Sequence, residues 1–353
     1  MKELKEIFIT SIGVAVPPFT INQEQVIEIL RSHYIDRIDS GHMALAKKVF
    51  KHPSVKTRHF GVDKVESVLD ENPDIRIARF TDWATRLSCE ASRIALQKAG
   101  LGAGDISALV VNTCTGYVCP GISNYVIEKL GLRHDIPAYD LVGAGCGGAI
   151  PNLILCKSLA DDNNASAVLS VSVEICSAAF QMDNDISLIV SNAIFGDGAS
   201  ACIISSKPQG LLLLDHCGLQ LTEFREDIRF IYKNGQLYNK LSANLPAIAG
   251  KAVGKLISML LDKTGLDIKD IKHWALHAGG ENVINSVKAE LGLSEQDVQK
   301  TRQILSEYGN MSSPSCIFSL ERMLSEGIPG GDMGIIIAFG AGMSAYAYLF
   351  KKL

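Results

Sequence analysis

The chain has little that would tie it to nucleic acid, a membrane or a metal. Its 353 residues carry 34 Lys and Arg against 38 Asp and Glu, a formal net charge of −4. No global field therefore draws it to nucleic acid, and an anionic ligand has to be held by a local patch. No apolar run approaches the ~20 residues needed to cross a bilayer, so no membrane span is expected. The start, Met1-Lys2-Glu3-Leu4-Lys5-Glu6, leads directly into a strand pattern, and no secretory leader is expected. The nine cysteines (89, 114, 119, 146, 156, 176, 202, 217 and 316) are odd in number and contain no CxxC pair. That excludes a disulfide framework and argues against zinc; the thiols read as reduced, cytoplasmic and mostly buried, with no metal site expected. No linker or shift in composition divides the chain. The mean hydropathy of +0.17 points instead to an extensive core and a subunit interface, within one compact α/β unit.

What is present centres on Trp274-Ala275-Leu276-His277-Ala278-Gly279-Gly280. A short apolar strand runs into a histidine and then a small-residue turn that lets a ligand approach, the place where α/β enzymes put chemistry. Two further stretches are built to meet it: Gly145-Cys146-Gly147-Gly148 and Tyr308-Gly309-Asn310-Met311-Ser312-Ser313.

Periodicity predicts strands at 8–16, 106–112, 139–144, 167–175, 201–205, 272–277 and 334–339, and a last strand ending at 349. Helices are predicted at 22–33, 81–99, 121–130, 149–160, 245–264, 281–291 and 316–324. Residues 41–60 contain no acidic side chain but hold Lys47, Lys48, Lys51, Lys56 and Arg58, which suits either a solvated helix face or a clamp for a phosphorylated ligand. The pattern also repeats internally. Strand 106–112 matches 272–277, and Cys146 and Asn310 each precede a proline in the first turn of an apolar helix, Pro151 and Pro314. Such a duplication brings the two loops to a shared centre.

The glycines around Cys146 permit a tight turn, and the following helix start favours a thiolate, the more so beside a protonated histidine. A Cys, His and Asn set has two chemical readings. In one, Asn orients His and His activates Cys for hydrolysis. In the other, Cys carries an acyl thioester while His and Asn stabilise the enolate left when a malonyl thioester loses CO₂. The duplicated architecture and the basic segment favour the second.

Over nearly its whole length the sequence resembles the type III polyketide synthases, chalcone synthase-like and of bacterial type, within the thiolase superfamily. The resemblance is carried by Gly145–Gly148, by Ile194-Phe195-Gly196-Asp197-Gly198-Ala199, by His277–Gly280, by Ser306-Glu307-Tyr308-Gly309-Asn310-Met311-Ser312-Ser313 and by Ala338-Phe339-Gly340-Ala341-Gly342. It implies a thiolase-like fold of duplicated βαβαβ halves in five α-β-α-β-α layers. Residues 1–210 would form the half with the nucleophile, and 211–353 the half with His and Asn.

The resemblance implies that Cys146 is acylated and that His277 and Asn310 bind the malonyl thioester carbonyl. Phe195 would be the gatekeeper, and Cys114, Thr115 and Cys176 would line the cavity. Cys119 would approach the neighbouring subunit of a homodimer. Lys48, Lys51 and Arg58, with Gly279 and Gly280, would hold coenzyme A. The substrates would be acyl-CoA and malonyl-CoA, with no permanently bound cofactor. Departures from the plant enzymes include a second gatekeeper Phe with no clear counterpart near Tyr238, Asn239 and Leu241, and Ala278 and Ala341 where Pro is common. Small residues, Cys176 and Ala179, stand where larger polar ones are expected and suit an aliphatic starter. The expected activity is iterative condensation and closure to a pyrone or resorcinol-type ring. The rivals are a β-ketoacyl synthase III-like enzyme that condenses once, a hydroxymethylglutaryl-CoA synthase-like enzyme, and a non-catalytic acyl-CoA binding protein of the same fold.

Overall fold

The computed structural model describes residues 5–161 and 167–353. The chain opens with strand β1 (Phe8–Ala15), short strand β2 (Thr20–Asn22), helices α1 (Gln23–His33) and α2 (Ser40–Phe50), and β3 (Thr57–His59), which pairs with β2. Asn22 caps α1 in a reciprocal capping box with Gln25. Helix α3 (Pro73–Ala99) begins eight residues before the periodicity predicts. Asn72 caps it, Pro73 occupies its first turn, and Gly100 ends it in the left-handed region at φ 68. The apolar stripe is interrupted in its first turns by Arg76 and Arg79, which turn inward to the carbonyls of Asp70 and Ser177.

Next come β4 (Ile106–Asn112), α4 (Ile122–Leu130), β5 (Ala138–Leu141), α5 (Ala149–Asp161), β6 (Ala167–Glu174), α6 (Ile186–Ile194) and β7 (Gly198–Ser205). The region after β7, without a clear pattern in sequence, forms β8 (Leu211–Gln220) and the hairpin β9 (Ile228–Lys233) with β10 (Gln236–Leu241). Then follow α7 (Leu245–Thr264), β11 (Ile271–Leu276), α8 (Glu281–Leu291), α9 (Glu295–Tyr308), α10 (Ser315–Glu326), β12 (Met333–Gly340) and β13 (Ser344–Lys352).

Nine strands join in the order β11-β12-β13-β8-β1-β7-β6-β4-β5. Read outward from the middle, β1-β7-β6-β4 is mirrored by β8-β13-β12-β11, and β5 extends one end alone. Within the sheet the halves meet at the β1–β8 pair, Phe8↔Leu212 and Ile9↔Leu211, a narrow seam about which they face each other. Side-chain alternation then makes layers. On β7, Ala199, Ala201 and Ile203 pack with α3 and α4, while Cys202 and Ile204 point the other way. On β12, Ile335 and Ile337 join α7, α8 and α9, while Ile336 and Ala338 point the other way. Both opposite faces close on one shared core with α5 and α10. The result is five layers, α-β-α-β-α, with α5 and α10 in the middle. Helices α1, α2 and α6 form a side cluster with its own core. Among the described residues no helix is long and apolar enough to cross a membrane.

Strands β4, β5 and β6 run parallel, as do β11 and β12. Their carboxyl ends therefore deliver loops 113–115, 142–146 and 175–176 from one half, and His277 and the 340–342 turn from the other, to one place.

Candidate active site

Cys146 lies in the turn before α5 and is 9% exposed. The turn sits against the end of β12, where a β-carbon at Gly340 would lie 2.7 Å from the Cys146 nitrogen. Only glycine permits that approach. The residue that meets Cys146 is Ser312, whose hydroxyl donates to the Cys146 Sγ at 3.2 Å. The same hydroxyl lies 3.4 Å from the Cys114 Sγ.

Ser312 is a hub. It holds a left-handed backbone, φ 58, uncommon for a residue with a side chain. Its N–H donates to the Asn310 Oδ1 at 2.8 Å, and the Asn310 Nδ2 donates to the Gly279 carbonyl at 3.2 Å. His277 follows β11 directly, is 2% exposed, packs its ring edge-on against Phe339 at 5.2 Å, and lies against the Ser312 backbone, which favours its charged form. Its Nδ1 is buried without a partner, which leaves hydrogen-bonding capacity unspent in the site. The structure thus brings Cys146, His277 and Asn310 together around Ser312.

Burial pushes the Cys146 thiol up to about 12, against the lowering effect of the Ser312 hydroxyl, and pulls the His277 imidazole down to about 3. The helix start and a protonated histidine predict a depressed thiol; in the folded site desolvation outweighs the dipole, and both groups rest neutral.

Glu174 is the residue of this site that the sequence pattern does not announce. It ends the all-buried strand β6, the one signal that could have marked it. Its oxygens accept from the Cys114 N–H at 2.9 Å, the Thr115 hydroxyl at 2.9 Å and the Ser313 hydroxyl at 2.7 Å. It thereby ties the 113–115 loop of one half to the Ser312-Ser313 turn of the other. Burial raises its carboxyl, and these donors oppose the rise.

Cys114, Thr115, Cys176 and Phe195 line the same cavity as Cys146 and Ser312. Phe195 is fixed beside Asn310, because the Asn310 N–H donates to the Ile194 carbonyl at 2.7 Å and the Gly196 N–H to the Asn310 carbonyl at 3.0 Å. The far wall is the β9–β10 hairpin. Its register pairs Ile228 with Leu241 and Phe230 with Asn239, and all four face the cavity. Of the positions near the missing second gatekeeper, Asn239 and Leu241 reach the cavity, Tyr238 does not, and an aromatic ring comes from Phe230.

Other expected positions fall elsewhere. Gly279 and Gly280 continue from His277, and Gly279 accepts from Asn310. Lys48 and Lys51 are exposed on and after α2, outside the cavity lining. Arg58 does not join them. It is 1% exposed, and its guanidinium is spent on buried carbonyls, so the expected role on coenzyme A phosphates is corrected: burial removes it from the cationic surface. Cys119 is exposed, outside the cavity lining, and precedes a cis peptide to Pro120. No cluster of His, Cys, Asp or Glu among the described residues could hold a metal.

Known proteins fit this geometry. The family description "Chalcone and stilbene synthases, N-terminal domain" matches residues 4–208, and the corresponding C-terminal domain matches 226–353. The 3,5-dihydroxyphenylacetyl-CoA synthase of Amycolatopsis balhimycina is 34% identical over 269 residues, 74% of this chain and 72% of that one. The alpha-pyrone synthesis polyketide synthase-like Pks18 of Mycobacterium tuberculosis is 28% identical over 358 residues, covering 97% of this chain and 90% of that one. The crystal structure of 1,3,6,8-tetrahydroxynaphthalene synthase from Streptomyces coelicolor superposes with a TM-score of 0.91 at 23% identity, covering 99% of each chain, and shows the same fold. With both family domains matched in order and a relative of this identity, the chain belongs to the chalcone and stilbene synthase family of type III polyketide synthases.

Proposed function

We propose that this synthase loads an acyl group from acyl-CoA onto Cys146, extends it repeatedly with malonyl-CoA, and closes the poly-β-keto chain to a pyrone or a resorcinol-type ring. The observation that carries this reading is the convergence of Cys146, His277 and Asn310 on Ser312, with Cys146 and Ser312 in the wall of a largely apolar cavity.

In loading, the Cys146 Sγ attacks the starter thioester carbonyl, His277 takes the thiol proton, and the coenzyme A thiol leaves with it. The Ser312 hydroxyl, already donating to the Sγ, lowers the cost of the sulfur anion. In extension, the malonyl thioester carbonyl accepts from His277 and from the Asn310 amide, which retains a second N–H beyond the one given to Gly279. The bond to the carboxylate breaks, CO₂ leaves, and the enolate oxygen is held by those donors. The enolate carbon then attacks the acyl carbonyl on Cys146; a C–C bond forms, the C–S bond breaks, and the thiolate is restored.

An adjoining hollow lined by Phe80, Tyr117, Tyr232 and Leu237 shares Thr115 and Ala179 with the cavity. The apolar side chains beside that shared wall support an aliphatic starter. Lys48 and Lys51 remain the proposed contacts for coenzyme A phosphates. A homodimer is supported by the edge strand β5 and the residue after it, where Tyr139 and Val142 are 40% and 59% exposed. Light scattering should give twice 38.1 kDa. A cytoplasmic setting suits nine free cysteines.

The test is incubation of the purified protein with malonyl-CoA and acyl-CoA starters from short to long, read by mass spectrometry. Tri- or tetraketide pyrones or resorcinols are expected. A single β-ketoacyl product, or activity only with an added carrier protein, would replace this reading with the single-condensation one.

A further inference from the structure

The last carbonyls of a helix have no partner within it. At the end of α6 the carbonyls of residues 192–194, and that of Phe195 after it, find one from a distant part of the chain. The Asn192 and Phe195 carbonyls accept from the Arg58 Nη1, the latter at 3.2 Å. The Ala193 carbonyl accepts from the Gln23 Nε2 at 3.2 Å, and the Ile194 carbonyl from the Asn310 N–H at 2.7 Å. Arg58 and Gln23 are themselves joined, Nη2 to Oε1, at 3.1 Å. The guanidinium lies over Phe60 at 5.1 Å and Phe50 at 5.7 Å, which hold its plane. A buried cation at a helix carboxyl end also opposes the helix dipole. The neighbouring backbone closes on the same group: a β-carbon at Gly309, φ 72, would lie 2.4 Å from the Ile194 oxygen and 3.0 Å from the Arg58 Cγ.

We propose that Arg58, with Gln23, is a positioning residue for the condensation. The pair fixes the end of α6 and through it the place of Phe195 in the cavity and of Asn310 beside the malonyl thioester. This inference rests on the synthase reading for its effect on turnover. A guanidinium is needed because one planar group must reach two carbonyls and Gln23 together; a lysine ammonium has neither the span nor the plane. The Cys146 turn is placed by the close approach of Gly340, which neither Arg58 nor Gln23 touches, so loading should respond less than decarboxylation.

The experiment compares Arg58→Lys and Gln23→Leu with the wild type. Cys146 acylation is read by intact mass, malonyl-CoA decarboxylation by CO₂ release, product length by mass spectrometry, and backbone protection of 186–197 and 308–313 by hydrogen exchange. In Arg58→Lys, decarboxylation is expected to fall about tenfold with acylation within about twofold, products to shorten, and both segments to exchange faster. Gln23→Leu should show the same pattern at about threefold. An unchanged ratio of decarboxylation to acylation in both variants overturns the proposal, as does unchanged exchange. Should Arg58→Lys not fold, Gln23→Leu decides alone. If the wild type itself neither acylates nor decarboxylates, the synthase reading falls; exchange then decides the positioning separately, with faster exchange supporting it and unchanged exchange overturning it.

Discussion

The cysteine loop, 144–148, and the asparagine loop, 309–314, occupy matching points, each leading into a helix of the middle layer, yet they are held differently. At the cysteine loop the reactive Sγ accepts from Ser312 alone, and the turn is placed by the close backbone approach of Gly340. At the asparagine loop, Asn310 is fixed at both ends of its amide, Ser313 donates to Glu174 and accepts from the Asn112 Nδ2, and the Met311 N–H donates to the Ser315 hydroxyl. The backbone at Asn310 is further bridged to the end of α6. The difference is what the proposed mechanism requires. The nucleophile must accept and release an acyl group and needs freedom at the sulfur. The groups that hold the enolate gain most by being preorganised before charge develops.

Predictions follow from that contrast, the largest effect first. Cys146→Ala should remove all polyketide product, a loss beyond about a thousandfold by mass spectrometry, because no other thiol stands at the start of α5. Glu174→Ala should cost about 3–5 kcal/mol in chemical denaturation, since it leaves buried donors of both halves unsatisfied at once. A change below about 1 kcal/mol would show that the asparagine loop is not held by this carboxylate. Ser312→Gly keeps the left-handed backbone and removes only the hydroxyl. Alkylation of Cys146 by iodoacetamide should slow about tenfold, and its pH profile should move to higher pH, if the hydroxyl stabilises the sulfur anion.

The remaining effect is on stability against pH. The His277 imidazole stands at about 3 when folded against 6.5 ordinarily. Between those values the unfolded chain binds a proton that the folded chain does not. This contribution to stability is therefore full above pH 6.5 and lost as pH falls toward 3. The opposite edge belongs to Cys146, at about 12 against 9, whose contribution is full below pH 9 and lost as pH rises toward 12. His277→Gln should flatten the acid limb of urea unfolding measured from pH 7 to 4, and Cys146→Ser the alkaline limb.

The parts of the site that sequence made legible are those with local signatures. Strand 272–277 ending in histidine, the glycine-flanked cysteine and the Tyr-Gly-Asn-Met-Ser-Ser string each carry their chemistry and turn residues together. The paired loops were readable because the duplication put a proline shortly after each. What escaped depends on long-range contact. Glu174 is a single carboxylate closing an apolar strand, and only the fold brings loops from both halves to it. Helix α9 was missed because its buried positions are few, Val298, Thr301, Ile304 and Leu305, within a charged run. The hairpin faces the cavity with a mixed set, Ile228, Phe230, Asn239 and Leu241, that periodicity does not single out. Charge alone groups Arg58 with the lysines; only the rings of Phe50 and Phe60 around it reveal that it faces inward.

The central claim is that one loop carries the acyl group while the other releases CO₂ from malonyl-CoA. The most direct measurement is the pair of initial rates, acyl-enzyme formation by intact mass and CO₂ release, in the wild type, Cys146→Ala and Asn310→Ala. The expected result is a crossing: Cys146→Ala releases CO₂ without forming an acyl-enzyme, and Asn310→Ala forms the acyl-enzyme but loses CO₂ release by about a hundredfold. If the two variants lose both steps alike, the division of labour between the loops is wrong.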